Sequence, residues 1–210
     1  MKPAFLMLVF LASLSVAAQV ANPVPGLPGI GVAYGLDNSA QIQSILVYQN
    51  GQQVQSLPVC TTEHVPNTPP LGSLNMADLN FDGYYDLLLQ TSKKDDNLNF
   101  CVFLYNPKTH RFDASPALSA LVNPRPEPKD HTVTSFENQG CQGGCHQKKI
   151  YKWIKGNLQL VRVETQSLMQ MAAVNGPGCL YILTVQELRK GKMVQVSSDR
   201  VDSSGAKVCY

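Results

Sequence analysis

Four turn signals, each flanked by short runs in which apolar and polar residues alternate, restrict this chain to antiparallel β structure. Asn50-Gly51 separates residues 42–48 from residues 54–59, and an asparagine-glycine pair so placed is the strongest short hairpin signal. Asn106-Pro107-Lys108-Thr109 follows residues 100–105 and leads into Arg111-Phe112. Lys155-Gly156-Asn157 joins residues 150–154 to 158–163, and Lys190-Gly191-Lys192 joins residues 181–185 to 193–196. Turns at this loose recurrence arise from the blades of a small propeller or from two packed antiparallel sheets. The expected fold is all-β, with antiparallel hairpins forming a small propeller-like or two-sheet sandwich domain. One short helix is predicted at residues 116–121, with Ser115 as N-cap and proline at the first helical position.

The first 18 residues read as a signal peptide. Lys2 supplies the positive charge, residues 4–16 are almost wholly apolar, and Val16-Ala17-Ala18 places small residues before a cut at Gln19. A spanning helix needs about 20 apolar residues, so this run is too short to anchor the chain. The expected protein is exported, periplasmic or extracellular, and does not span a membrane. Residues 19–35, rich in proline and glycine, read as a linker, which leaves 36–210 as a single all-β domain.

Six cysteines follow the leader, an even number that predicts three disulfides in an exported chain. Cys141–Cys145 is the local pairing. Cys60–Cys101 and Cys179–Cys209 would join segments that read as strands. A zinc site at Cys141, Cys145 and His146 would lack a fourth ligand at a useful spacing. Without Lys2 the chain carries 16 basic against 15 acidic residues and no basic stripe. Nucleic acid and anionic membrane are therefore excluded as partners.

Asp78-Leu79-Asn80-Phe81-Asp82-Gly83-Tyr84-Tyr85-Asp86 reads as a loop for Ca²⁺. Asp78, Asn80, Asp82 and Asp86 would present side-chain oxygens and Tyr84 its carbonyl, with Gly83 at the sharp turn. The ion-free alternative is an Asx-rich turn. Three carboxylates within nine residues repel one another without a counter-charge, which favours calcium. The loop is not an EF-hand: Leu89 stands where that motif has glutamate, and residues 86–90 read as a strand.

Between Ser135 and Tyr151 the glycines at 140, 143 and 144 are expected to expose backbone N–H groups around a Cys141–Cys145 bridge. Gly143, Gly144, His146 and Lys148 are the candidate partner-binding residues, because a stiff, donor-rich tip suits a cleft lined by carboxylates. No enzyme constellation competes. His64, His110, His131 and His146 all sit in turn-like contexts, and no nucleophile elbow, zinc helix or phosphate-binding loop is present in the sequence. Lys93-Lys94-Asp95-Asp96 reads as a solvated loop. The single tryptophan, Trp153, is expected to pack on a sheet, with a sugar-stacking role for Trp153 and Tyr151 as the alternative.

Residues 78–87, Phe103-Leu104-Tyr105-Asn106-Pro107, Arg111-Phe112, Thr134-Ser135-Phe136 and residues 151–158 together resemble an exported bacterial family of calcium-loop proteins. That FG-GAP-like family includes immunity proteins against peptidoglycan-cleaving toxins and is related in shape to periplasmic inhibitors of invertebrate-type lysozyme. The resemblance spans residues 74–163. It implies a non-catalytic inhibitor whose loop, between the strands at 132–136 and 150–154, enters the cleft of a lysozyme-like glycosidase. The family carries a serine-glycine stretch and a tyrosine there. This chain has Gly143-Gly144-Cys145-His146, so His146 or Lys148 would replace the tyrosine as donor. A calcium-dependent cell-envelope binding or adhesion module is the alternative, with Tyr151 and Trp153 as its contacts.

Overall fold

A computed structural model describes residues 22–68, 72–169, 181–202 and 204–206. The expected leader and Cys179–Cys209 lie outside them. The first sheet runs β1 (Asn22–Pro23), β2 (Ile30–Leu36), β3 (Gln41–Gln49) and β4 (Gln52–Pro58), with β5 (Val65–Pro66) also on β3. The second comprises β6 (Leu74–Ala77), β7 (Asp86–Lys94), β8 (Asn97–Asn106) and β9 (Arg111–Ala114) in sequential order. The third is the meander β10 (Arg125–Glu127), β11 (Thr132–Asn138), β12 (His146–Ile154), β13 (Asn157–Leu168), β14 (Tyr181–Arg189) and β15 (Lys192–Val201). All these pairings are antiparallel. The expected all-β class holds, in a sandwich-like arrangement with no closed barrel.

Four hairpins close with two residues each, three of them at the expected Asn50-Gly51, Lys155-Gly156 and Lys190-Gly191 and the fourth, between β7 and β8, at Asp95-Asp96. At the three expected turns both central residues have positive φ: 50° and 82°, 51° and 78°, 50° and 78°. Such turns match the right-handed twist of the flanking strands, and glycine takes the second position without steric cost. Helix α1 (Pro116–Ser119) forms where proline at its first position and Ser115 before it predicted a start, although the Ser115 hydroxyl makes no capping bond.

The second sheet is the middle layer. Leu87, Leu89, Cys101, Phe103 and Tyr105 pack with Val32, Ile42, Ile45 and Val47 of the first sheet. Leu88, Phe100 and Val102 belong to a second core with Leu118 and Val133, against which Tyr151, Trp153 and Leu158 of the third sheet pack. Burial on both faces explains why β7 carries an unbroken apolar run, Leu87-Leu88-Leu89, after Asp86 instead of alternating. Each large side chain so buried contributes about 1.5–3 kcal/mol.

From Asn22 onward, the segment read as a linker is part of the fold. Val24 and Leu27 are buried in the first core, and Ile30–Leu36 is a strand. The prolines and glycines make tight turns there: Leu27 N–H donates to Val24 O at 3.1 Å and Ile30 N–H to Leu27 O at 3.1 Å, with Gly26 and Gly29 at positive φ. Composition alone could not separate a turn that returns to the core from a tether. Two expected disulfides are present, Cys60–Cys101 and Cys141–Cys145. The first ties the chain just beyond β4 to the buried centre of β8, with Cα atoms 5.5 Å apart.

Candidate functional site

The acidic loop winds on its own side chains. Asp78 Oδ1 accepts from Phe81 N–H at 2.6 Å and Asp82 N–H at 3.2 Å, and its Oδ2 accepts from Gly83 N–H at 2.9 Å. Asp82 Oδ1 accepts from Tyr84 N–H at 3.0 Å, while the Asn80 amide donates to Asp82 Oδ2 at 2.9 Å. Phe81 and Gly83 take positive φ, 61° and 89°, and so turn the chain within the loop.

Asp86 is different, being fully buried at the start of β7. Its Oδ2 accepts from Leu79 N–H at 2.8 Å and its Oδ1 from Tyr105 N–H at 3.0 Å, so one carboxylate fastens the loop to β8. Burial pushes its pKa up to about 7 against the pull of those two N–H donors, and the charges of Asp82 and Asp78 push the same way as burial. From the third sheet, Trp153 Nε1–H donates to Leu79 O at 2.8 Å, gripping the residue that Asp86 holds by its N–H. Among the described residues no three of His, Cys, Asp and Glu gather as a group that could hold an ion. The donor chemistry still fits a hard cation: short oxygen side chains wound on one turn, and a buried carboxylate repelled by two others.

The Cys141–Cys145 corner departs from expectation in a specific way. Its glycine N–H groups are not offered outward. Gly140 N–H donates to Asn138 Oδ1 at 2.8 Å, Gly143 N–H to Gly140 O at 3.0 Å, and Gly144 N–H to Cys141 O at 3.1 Å. The five-residue disulfide loop closes so tightly on the preceding residues that Asn138 Oδ1, Gly140 O and Cys141 O take these donors, here through a 3-10 turn at Cys141–Gly143. Gly143 is exposed at the tip, but Gly144 is buried. A Cβ at Gly144 would run into the ring and hydroxyl of Tyr181, and Gly144 O accepts from Gln166 Nε2 at 2.9 Å.

His146 opens β12 half-buried, its ring stacked on Phe136 with centroids 5.0 Å apart and planes at 28°. Burial holds its pKa below the usual value; Glu164 opposes that shift and Lys148 adds to it. Lys148 stands opposite Phe136 on β11 and Glu164 on β13. The structure thus brings His146, Lys148 and Phe136 together and leaves Gly144 as a packing residue.

Sequence reasoning missed the surroundings of that cluster. Lys148 and Phe136 line a groove of about 670 Å³ with Lys93, Leu98 and Arg125, from β7, β8 and β10. The β7–β8 hairpin reaches it through asparagine clamps. Beyond the last β10–β11 pair at Thr134, Asn97 completes the β11 edge, donating to Asn138 O at 2.9 Å and accepting from Asn138 N–H at 2.8 Å. Asn123 donates to Phe136 O at 2.8 Å. The asparagines around the Lys-Lys-Asp-Asp turn were the available signal, but asparagine favours any turn. Tyr151 and Trp153, the contacts of the adhesion alternative, are corrected: both are partly buried against the second core.

No helix of the described residues is long and apolar enough to cross a membrane. Comparison with protein-family models and with curated proteins finds no match. Among solved structures the chain is similar to a Xanthomonas protein described as related to the type IV secretion system, with a TM-score of 0.56 at 17% identity over 81% of this chain and 90% of that one. At that identity the likeness is one of fold.

Proposed function

We propose that the chain is an exported, non-catalytic protein that binds and inhibits a lysozyme-like peptidoglycan hydrolase through the Cys141–Cys145 corner. The observation that carries this reading is the rigid corner itself, pinned by a disulfide, with Lys148 and the Phe136–His146 stack beside it. Two disulfides fit maturation in an oxidising compartment, and the secretion-system relation of the similar Xanthomonas protein is compatible with an envelope or secreted role.

Lysozyme-type enzymes need a general acid and a second carboxylate flanking the scissile bond. A corner seated in such a cleft fills substrate subsites. Because the glycine N–H groups are spent within the corner, His146 and Lys148 are the donors left for those carboxylates. Lys148 would keep the catalytic acid ionised and so unable to protonate the leaving oxygen. Gly143 contributes a tip narrow enough to enter. Calcium, held by Asp78, Asn80, Asp82, Asp86 and the Tyr84 carbonyl, would neutralise the loop's carboxylates.

The test is inhibition of a panel of lysozymes and related glycosidases by purified, oxidised protein, in Ca²⁺ and in chelator. Inhibition of at least one enzyme, weakened by His146→Ala with Lys148→Glu at unchanged thermal stability, is expected. Failure to inhibit or capture any of them would overturn the reading. Binding to cell-wall glycan in the absence of a hydrolase would then favour the adhesion module.

A further inference from the structure

The groove beside the Phe136–His146 stack carries three cations drawn from three strands, Lys93, Arg125 and Lys148. Among the described residues the ion pairs involve Arg162, Arg189, Glu164 and Glu187, so none of these three cations is paired there. Asp96, the one acid among the described lining residues, accepts from the Asn138 amide at 3.4 Å. Like charges collected in one concavity repel one another and focus the field on an incoming anion.

The neutral polar groups of the lining are already engaged. Asn123 donates to Asp96 O at 2.9 Å and to Phe136 O at 2.8 Å, and its Oδ1 accepts from Leu98 N–H at 3.1 Å. The Thr134 hydroxyl donates to Arg125 O at 3.4 Å. A neutral glycan needs such directional neutral partners and would find them occupied. What remains is positive charge over an apolar floor of Leu98 and Phe136, the latter 40% exposed. An accessible aromatic beside an arginine combines residue types enriched at protein interfaces, and the two lysines add charge complementarity to an acidic partner.

We infer that this groove docks an acidic segment of a protein partner, its carboxylates on Lys93, Arg125 and Lys148 and an apolar side chain against Phe136. The inference deepens the reading above and rests on it in taking the partner to be a protein. The hydrolase would carry such a segment beside its cleft, so that corner and groove engage it together. Two contiguous anchors raise affinity without either being strong alone.

Fluorescence anisotropy with a labelled Glu-Glu-Leu-Glu-Glu peptide tests it, with Gln-Gln-Leu-Gln-Gln and Glu-Glu-Ser-Glu-Glu as comparisons. The purified, oxidised protein is expected to bind the first and to bind both comparisons more weakly. Lys93→Glu/Arg125→Glu/Lys148→Glu should lose about tenfold or more in affinity, and Phe136→Ser should abolish the preference for leucine over serine. Lys108→Glu/Lys190→Glu/Lys192→Glu, with the same change of net charge at exposed turns, should leave binding nearly unchanged. No binding of the acidic peptide, equal binding of its glutamine counterpart, or equal loss in the two triple variants would overturn the groove. Circular dichroism confirms that each variant is folded. Because no hydrolase is in this assay, peptide binding without any enzyme inhibited upholds the groove and removes only the identity of its partner.

Discussion

At the scale of single residues, Asp86 and Gly144 carry the most. Asp86 is pushed up to about 7 by burial, whereas an unfolded aspartate titrates near 3.9. Between those values the folded chain holds a proton that the unfolded chain has lost, so this group's contribution to stability falls as pH rises from about 4 to about 7. In chelator, the urea midpoint should decline over that interval from this source. Saturating Ca²⁺, by favouring the ionised carboxylate, should flatten or reverse the decline. Identical pH profiles with and without calcium would remove the ion from the loop. Gly144→Ala should destabilise by about 1–3 kcal/mol by driving a methyl into Tyr181. Gly143→Ala meets nothing within 4 Å, and its cost, about 1–2 kcal/mol, comes from its φ of 88° alone. Urea unfolding of the two variants separates crowding from backbone strain by size.

At the scale of elements, the two disulfides close loops of very different length. Cys60 and Cys101 are 41 residues apart and Cys141 and Cys145 only 4. Loop-closure entropy assigns about 4 kcal/mol to the long bridge and about 2 kcal/mol to the short one. Replacing both cysteines of the first pair by alanine should therefore lower the unfolding midpoint more than replacing those of the second. The short bridge should instead matter for hydrolase inhibition, because it holds the corner. The asparagine clamp acts at the same scale: Asn97→Ala removes both side-chain bonds to Asn138 and should cost about 1–3 kcal/mol. Faster amide exchange at Asn138, with the β12–β13 pairing unchanged, would locate the loss at the hairpin contact.

Across the whole molecule, a two-faced middle sheet links the layers. Trp153 spans one of these joints, packed in the second core with its indole on Leu79 O, one residue after Asp78. As the single tryptophan of the chain, it should report the acidic loop from the third sheet. Calcium titration should shift Trp153 emission saturably, and Asp78→Ala/Asp82→Ala should abolish the shift. Emission indifferent to calcium at millimolar concentration would count against a site in residues 78–86. Leu88→Ala and Leu89→Ala, on opposite faces of β7, should each cost about 2–5 kcal/mol, since each leaves a cavity in a separate core.

The all-β class, three of the four two-residue hairpins, the short helix and two disulfide pairs were legible in the sequence because each rests on neighbours a few residues apart or on strand periodicity. An alternating run and an Asn-Gly or Lys-Gly turn specify a hairpin wherever it ends up. The stacking of three sheets was not legible, since Leu87-Leu88-Leu89 reads the same in any doubly covered strand. Nor was the seating of Val24 and Leu27, which proline-rich composition disguised. Around the corner, the glycine N–H groups read as outward donors are engaged within the chain. Whether a donor is free depends on which carbonyl the closed loop brings to it. The groove was invisible for the same reason: Lys93, Arg125 and Lys148 lie far apart along the chain. Only the docking of the β7–β8 hairpin on the β11 edge, through the side chains of Asn97 and Asn123, sets their charges around one concavity.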